Sequence, residues 1–223
     1  MTFVLRAALA SVFAAVKRRV WQLSWRQVIA LSCLLFGMYH LAAGGYIHAK
    51  AVLAQGLLEH AWQQTQLTGS EHKPWPWADT YPIFRLEAPA QKQDFVVLAG
   101  ASNRNLAFAP SYMLASARPG NFGKTVIAGH RDTHFRFVRD VNIGDPLRIT
   151  LEDGNIQTFT VTDLQVVNIH DTPLRLASQR RQLVLVTCYP LEATTAPGSL
   201  RYLVVAEPQD TPQQTQQQAH HTP

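Results

Sequence analysis

The sequence is poor in cysteine, with only Cys33 and Cys188 among its 223 residues. Exported proteins use cysteine mainly in disulfide pairs, and Cys33 lies inside a long apolar run, so Cys188 has no obvious partner. Acidic residues are absent before Glu59, and the first 50 positions carry six Lys or Arg. From residue 51 onward, fourteen Lys or Arg stand against fifteen Asp or Glu. This part of the chain therefore shows no basic stripe of the kind expected in a protein that binds nucleic acid, and no nucleic-acid partner is predicted.

The run from 28 to 47 contains no Asp, Glu, Lys or Arg. Twenty residues at helical rise match a hydrocarbon layer of about 30 Å. The basic residues before it predict a cytoplasmic N-terminus and an exported C-terminal part, at the inner membrane and in the periplasm. A cleaved signal peptide, with its cleavage site among the small residues 42–45, is the alternative. The length of the run favours an uncleaved anchor that crosses the lipid bilayer once.

The predicted organisation has five parts. They are a basic cytoplasmic segment (1–27), a transmembrane anchor (28–47), a helical stalk with a Trp/Pro-rich arm (48–80), a strand-rich domain (81–207) and a disordered tail (208–223). Helical spacing of Val52, Leu58, Ala61 and Trp62 indicates the stalk. The prolines of KPWPWADTYP exclude helix, and we expect its tryptophan rings to cover the domain.

From residue 94 the pattern changes to short runs rich in Val, Ile, Leu, Thr and Phe, such as IQTFTVTDLQVVN and RQLVLVTC. Turn residues separate most of them, which predicts an all-β sandwich or barrel. Asp153-Gly154 predicts a hairpin. We expect short helical turns at 111–116 and around 175–180.

Cys188 ends an apolar run, a position that would place its thiol at the rim of a barrel. A buried small hydrophobic residue is the alternative, since free cysteine usually has that role. A reactive thiol needs a nearby histidine. His130, in TVIAGHRDTHF, follows a predicted strand, whereas His134 and His170 are competitors. The spacing of His130 and His134 also permits a zinc site, but the segment is not helical in pattern and no third ligand is evident.

Arg201 opens the last predicted strand, and a connecting loop would bring it close to Cys188. A thiolate that attacks a carbonyl generates an oxyanion, which needs a donor of this kind. A surface arginine at a strand start is the alternative. The combination of Cys188, His130 and Arg201 at three strand ends favours an active site.

These motifs resemble those of the sortases, which are membrane-anchored cysteine transpeptidases. VLVTC resembles the TLxTC strand of the family, with Val184 in place of the first threonine of the motif. GHRDTHF and LRYLVV resemble the segments that carry the family histidine and arginine. GASNRNLAFAP resembles an early barrel segment, although Ser111-Tyr112 stands where the family often has Gly-His. The PWPWADT stretch and basic N-terminus resemble a Gram-negative, largely marine proteobacterial subgroup.

The resemblance spans about residues 81 to 207 and implies an eight-stranded β-barrel with short helices, preceded by the transmembrane helix and stalk. It implies Cys188 as nucleophile, His130 as general acid and base, and Arg201 as the group that stabilises the oxyanion or substrate. The implied partners are a surface protein with an LPXTG-like C-terminal sorting signal and an amine acceptor. No cofactor is predicted: some sortases use calcium, but the sequence shows no clustered acids for it. An exported cysteine peptidase and a catalytically idle binding module remain alternatives.

Overall fold

A computed structural model describes residues 24–171, 175–192 and 198–209. The chain divides into two compact units, residues 1–52 and 53–223. Most of the predicted basic segment and most of the predicted tail lie outside the described residues. Pro208 still belongs to the last strand, and the Gln209 N–H donates to Thr158 O at 3.0 Å.

Helix α1 runs from Trp25 to Thr68 without a proline. It is long and apolar enough to cross a membrane, and its large apolar side chains up to residue 52 are exposed. The predicted anchor lies inside it. Gly69 adopts a positive φ of 67° and its N–H donates to Thr65 O at 2.9 Å, which is the usual way for a glycine to end a helix.

The part of α1 inside the second unit packs on the barrel with one face. Its buried residues follow helical spacing: they are Ala54, Leu58, Ala61, Trp62 and Thr65. Val52, predicted on the same face, is instead exposed. Arg85 donates to the Glu59 carboxylate at 2.9 and 3.0 Å and to Asp94 at 2.7 Å, so one guanidinium joins this helix to two strands.

The second unit contains a closed eight-stranded barrel, as predicted. The strands are β1 (Pro82–Ala88), β2 (Gln93–Ala99), β3 (Ser111–Tyr112), β4 (Gly123–Ala128), β5 (Pro146–Thr150), β6 (Ile156–Asn168), β7 (Arg181–Cys188) and β8 (Leu200–Pro208). Their order around the barrel is β1-β2-β3-β4-β7-β8-β6-β5, and β5 closes on β1. Most pairs are antiparallel, whereas β2–β3 and β4–β7 are parallel.

The barrel interior is filled by aliphatic and aromatic side chains that alternate along the strands, including Phe84, Leu86, Ile127, Phe159 and Leu185. A separate apolar cluster contains Val126, Val184, Leu203 and Val205, from the other face of β4, β7 and β8. Alternation with a period of two assigns the side chains of each strand to these two faces.

Three of the connections between strands contain a short helical segment. Two of these are 3-10 helices, Pro89–Gln91 and Arg136–Asp140, and the third is helix α2 (Asn103–Leu106). Ser102 precedes α2, and its hydroxyl accepts the Asn105 N–H at 3.2 Å, which is the usual N-cap interaction.

Of the two predicted helical turns, the first is reduced to one hydrogen-bonded turn, in which the Ser116 N–H donates to Met113 O at 2.8 Å, and the second is wrong. Ser111–Tyr112 forms β3, because its two residues pair with both β2 and β4 and Tyr112 is buried against Phe84. Residues 175–180, which the structure describes in full, contain no helix. The hairpin predicted at Asp153-Gly154 is present between β5 and β6, and Gly154 has a positive φ of 79°.

The Trp/Pro-rich arm covers the domain with only one of its rings. Trp75 packs edge-on against Phe108, with 5.1 Å between ring centroids, whereas Trp77 is 82% exposed. Thr80 ends the arm by donating its hydroxyl to Ala99 O at 2.7 Å.

Leu58 packs against Leu98 and Ala109 with 1% of its surface exposed, so this contact should stabilise the barrel. We predict that Leu58→Ala lowers the free energy of unfolding by about 2–5 kcal/mol, the usual cost of such a cavity. The change is measured by urea unfolding of the full chain in detergent. Leu67→Ala, on the same helix at an exposed site, is the control and should change it by less than about 0.5 kcal/mol. Equal effects of the two changes would show that the helix contributes nothing to barrel stability.

Candidate active site

The parallel pairing of β4 with β7 brings the ends of these strands to the same edge of the barrel. The register pairs Ala128 with Val186, and the Gly129 N–H donates to Val186 O at 3.1 Å. His130 and Cys188 each lie two residues beyond this last pair. Neighbouring strands are about 4.8 Å apart, so the two residues occupy equivalent positions at adjacent strand ends.

Alternation along β7 separates the side chains at its end into two environments. Leu183 and Leu185 point into the barrel core, whereas Val184 and Val186 belong to the second apolar cluster. Cys188 therefore lies on the face of that second cluster and is partly exposed. Cys188 is thus at the barrel rim and not in the core.

Thr187 joins the two strand ends from the opposite face. Its buried hydroxyl donates to Gly129 O at 2.7 Å. This bond connects the residue before Cys188 to the residue before His130. A hydroxyl with its partner fixed in a buried site restricts the relative movement of the two backbones.

Arg201 lies directly opposite Cys188 in the antiparallel register of β7 with β8. Its Nη1 donates to Gly198 O at 2.7 Å and to Leu200 O at 2.9 Å. On its other side, Arg201 pairs with Val167 of β6. Cys188, His130 and Arg201 thus belong to three consecutive strand ends, of β7, β4 and β8.

The two competing histidines lie elsewhere. His170 is exposed and follows the end of β6, a strand that pairs with β8 and β5 but not with β7. His134 is half-buried and packs edge-on against Phe95 of β2, with 6.0 Å between ring centroids. Of the three candidate histidines, His130 is therefore the one that follows a strand adjacent to the cysteine strand.

Comparison with known proteins gives a family for this arrangement. A family model described as the sortase domain matches residues 86–209, more than half of the chain. The chain belongs to the sortase family. Sortase D of Bacillus subtilis is 31% identical over 106 residues, which cover 47% of this chain and 53% of that protein. The chain thus spans about half the length of the curated relative that it matches.

Solved sortase structures share the fold. Sortase A from Corynebacterium diphtheriae superposes with a TM-score of 0.53 at 29% identity, over 60% of this chain and 64% of that one. The Clostridium perfringens sortase D5 transpeptidase gives a TM-score of 0.57 at 20% identity, over 71% of this chain and 99% of that one. The second similarity is one of fold alone. The family match begins inside β1 and contains all three candidate residues of this sortase.

Two features of this sortase site were not predicted from the sequence. A Cβ added to Gly129 would lie 2.5 Å from Cγ of the buried Phe135 ring, so only glycine leaves room for that ring. Phe135 in turn donates its N–H to His130 O at 3.0 Å and closes the turn that follows the histidine. The Gly-His dipeptide was the available sequence signal, but the Phe135 ring that requires the glycine lies six residues after Gly129. The second feature is a hydrogen bond from Arg131 Nη1 to Pro190 O at 3.0 Å, in the loop after Cys188.

Within residues 24–171, 175–192 and 198–209, no group of three His, Cys, Asp or Glu side chains could hold a metal ion. The predicted alternative of a zinc site on His130 and His134 thus has no third ligand among the residues described. Cys33 and Cys188 are both free thiols.

The environment of His134 makes it a pH-sensitive group beside the site. Burial lowers the pKa of its imidazole, and the charge of His130 lowers that pKa further, whereas an interaction with the Phe108 backbone acts in the opposite direction. His134 lines a cavity of about 350 Å³ together with Glu59, Arg85 and Asp94.

A histidine whose pKa is lower in the folded state binds fewer protons there than in the unfolded state. Its contribution to stability is then present above the unfolded pKa of about 6.5 and is lost as the pH falls through the folded pKa. We predict that the melting temperature falls between pH 7.5 and pH 5.5, and falls less in His134→Gln. The exposed His170→Gln is the control. An equal fall in His134→Gln and wild type would contradict the lowered pKa.

Proposed function

We propose that this sortase is a cysteine transpeptidase that cleaves the C-terminal sorting signal of a partner surface protein and transfers the product to an amine. The observation that carries the proposal is the placement of a free, partly exposed thiol between a histidine and an arginine on three adjacent strand ends. Nucleophilic acyl transfer needs a thiolate, a proton donor for the leaving amine and a stabiliser of negative charge.

The proposed reaction assigns one step to each residue. The Cys188 thiolate attacks the carbonyl carbon of the scissile peptide bond, and the His130 imidazolium gives its proton to the departing amine as the C–N bond breaks. The product is a thioacyl enzyme and a free amine. An acceptor amine then attacks the thioester, gives a proton to His130 and releases the thiolate.

Arg201 would stabilise the oxyanion or hold the substrate carbonyl. A guanidinium carries five N–H donors, and the bonds to Gly198 and Leu200 use those of Nη1. The donors of Nε and Nη2 belong to the same rigid plane, which these two bonds orient. Its position opposite Cys188 supports this role.

The second apolar cluster supports an extended peptide as substrate. The buried part of the cluster is Val126, Val184, Leu203 and Val205, and partly buried Met113, Val167, Leu176 and Val186 pack against it. Val186, which is partly exposed, shares the face of Cys188, so the accessible rim of the cluster provides an apolar contact surface next to the thiol. An LPXTG-like signal has a leucine and a proline that such a surface would bind.

Two other functions can be distinguished from transpeptidation by experiment. A cysteine peptidase would resolve the thioester with water, so product formation would not depend on an added amine. A catalytically idle binding module would have an unreactive thiol, and a thiol-directed probe would not label Cys188 at neutral pH.

The roles of the three residues predict different losses. Cys188→Ala should abolish the thioacyl enzyme, because no covalent path remains. His130→Ala should slow thioacyl formation by about 10²–10⁴-fold, and Arg201→Ala by about 10²–10³-fold. Arg201→Lys keeps the charge without the planar fork and should recover part of the rate. The measurement is single-turnover thioacyl formation with a signal peptide.

Correct folding of each variant is checked by its melting temperature. Cleavage by a folded Cys188→Ala variant would refute the proposed mechanism. Normal rates in Arg201→Ala would remove only the role of that arginine.

We propose that the apolar half of α1 anchors the protein in the inner membrane, with a cytoplasmic N-terminus and an exported catalytic domain. The helix is long enough, and basic residues precede it in the sequence. A signal sequence would also be apolar and close to the N-terminus.

An alkaline phosphatase reporter fused after Pro223 should therefore be active, because it folds only outside the cytoplasm, and a cytoplasmic reporter at the same site should not. N-terminal sequencing of the mature protein provides the control. Activity of the cytoplasmic reporter would reverse the topology. A mature chain that begins near Gly44 would show that the helix is a cleaved signal.

A further inference from the structure

Both immediate neighbours of His130 are hydrogen-bonded to the segment that surrounds Cys188. On one side, the Thr187 hydroxyl donates to Gly129 O at 2.7 Å. On the other side, Arg131 Nη1 donates to Pro190 O at 3.0 Å. The histidine and the cysteine therefore lie between two bonds that join the same pair of strand ends.

Arg131 has the properties of an internal group. Only 5% of its side chain is exposed, and a buried guanidinium is costly unless hydrogen bonds replace its hydration. Its Nε lies 3.3 Å from the Asp132 carboxylate, but that side chain is 68% exposed, so solvent weakens the ion pair. The bond to the Pro190 carbonyl, at 3.0 Å, is a contact that reaches across to the other strand end. A charged donor makes this a strong hydrogen bond.

We propose that Arg131 is a positioning residue, which holds the loop after Cys188 against the turn that contains His130 and so sets the separation of thiol and imidazole. The inference rests on the proposed function in one respect, namely that these two groups react together. The bond that carries this role goes to a backbone carbonyl, so the role differs from the one proposed for Arg201.

The need for such a bond follows from where the sheet ends. The last ladder bond between the strands is from the Gly129 N–H to Val186 O, and His130 and Cys188 both lie beyond it. Beyond this bond, the two strand ends are held together only where side chains connect them. Proton transfer requires heavy atoms about 2.6–3.2 Å apart. A displacement of about 1 Å can cost about 10²-fold in rate.

The first test asks whether Arg131 acts through His130. In the full chain, Arg131→Gln should slow single-turnover thioacyl formation by about 10–10²-fold and change peptide binding by less than about two-fold, because the substrate surface is untouched. In the His130→Ala background, the same change should slow the reaction by less than about two-fold. Arg136→Gln is the matched control, since Arg136 is an exposed arginine in the same loop. Equal losses in both backgrounds would overturn the proposal, because a general structural effect is independent of His130.

The second test measures geometry without any enzyme activity, so it remains decisive even if the proposed function fails. In a Cys33→Ala chain, His130→Cys should form a disulfide with Cys188, because neighbouring strand positions have suitable Cα separations. Equilibration with glutathione gives the effective concentration of this thiol pair. Arg131→Gln should lower it by about ten-fold, and Arg136→Gln should leave it unchanged. No disulfide in the parent chain, or an unchanged value in Arg131→Gln, would overturn the proposal.

Arg131→Lys keeps the inference testable if Arg131→Gln does not fold. An ammonium retains the charge but loses the planar guanidinium that fixes the direction of the bond to Pro190 O. The positioning role would be supported if Arg131→Lys loses rate and effective concentration to an extent between wild type and Arg131→Gln. If the glutamine variant is unfolded, a measurable loss in both assays for Arg131→Lys would support it. Wild-type values for Arg131→Lys in both assays would overturn it.

Discussion

The candidate site depends on one constraint, the parallel pairing of β4 with β7. Parallel strands end at the same edge of a sheet, whereas antiparallel partners end at opposite edges. Gly129 and Thr187 are 58 residues apart in sequence, yet their backbones meet through this pairing and through the Thr187 hydroxyl. β8 then runs antiparallel to β7, so Arg201, close to its start, meets the last residue of β7. The directions of three strands thus account for the placement of the three candidate residues at neighbouring strand ends.

Alternation within β7 separates two tasks that one strand end has to perform. Thr187 points to the buried side and uses its hydroxyl to hold the end of β4. Cys188, one position later, points to the other side and stays accessible. A register shift of one residue would bury the thiol and expose the hydroxyl. The bulky aliphatic residues earlier in β7 prevent such a shift, because Leu183 and Leu185 fill the barrel core.

Sequence patterns predicted the parts of the fold that are local. The aliphatic runs 156–168 and 181–188 are strands β6 and β7, because their residues match the alternating environments of a barrel wall. β3 was missed because two residues carry no periodicity and are held by partners on both sides. The three site residues were predicted from motifs that resemble a family, but their bonds were not. The contact of Arg131 with Pro190 joins positions 59 residues apart, so it exists only in the folded barrel.

The two arginines beside the site differ in a way that bears on their proposed roles. A group that stabilises a transition state must interact more strongly with the developing charge than with the ground state, so it needs access to the substrate. Arg201 is partly exposed and bonded to loop carbonyls close to it in sequence. A group that positions others needs burial and a fixed partner, and Arg131 has both. Burial keeps Arg131 away from a substrate oxyanion, and solvent exposure would weaken any structural hydrogen bond that Arg201 makes. The same residue type therefore supports two separate roles within one site.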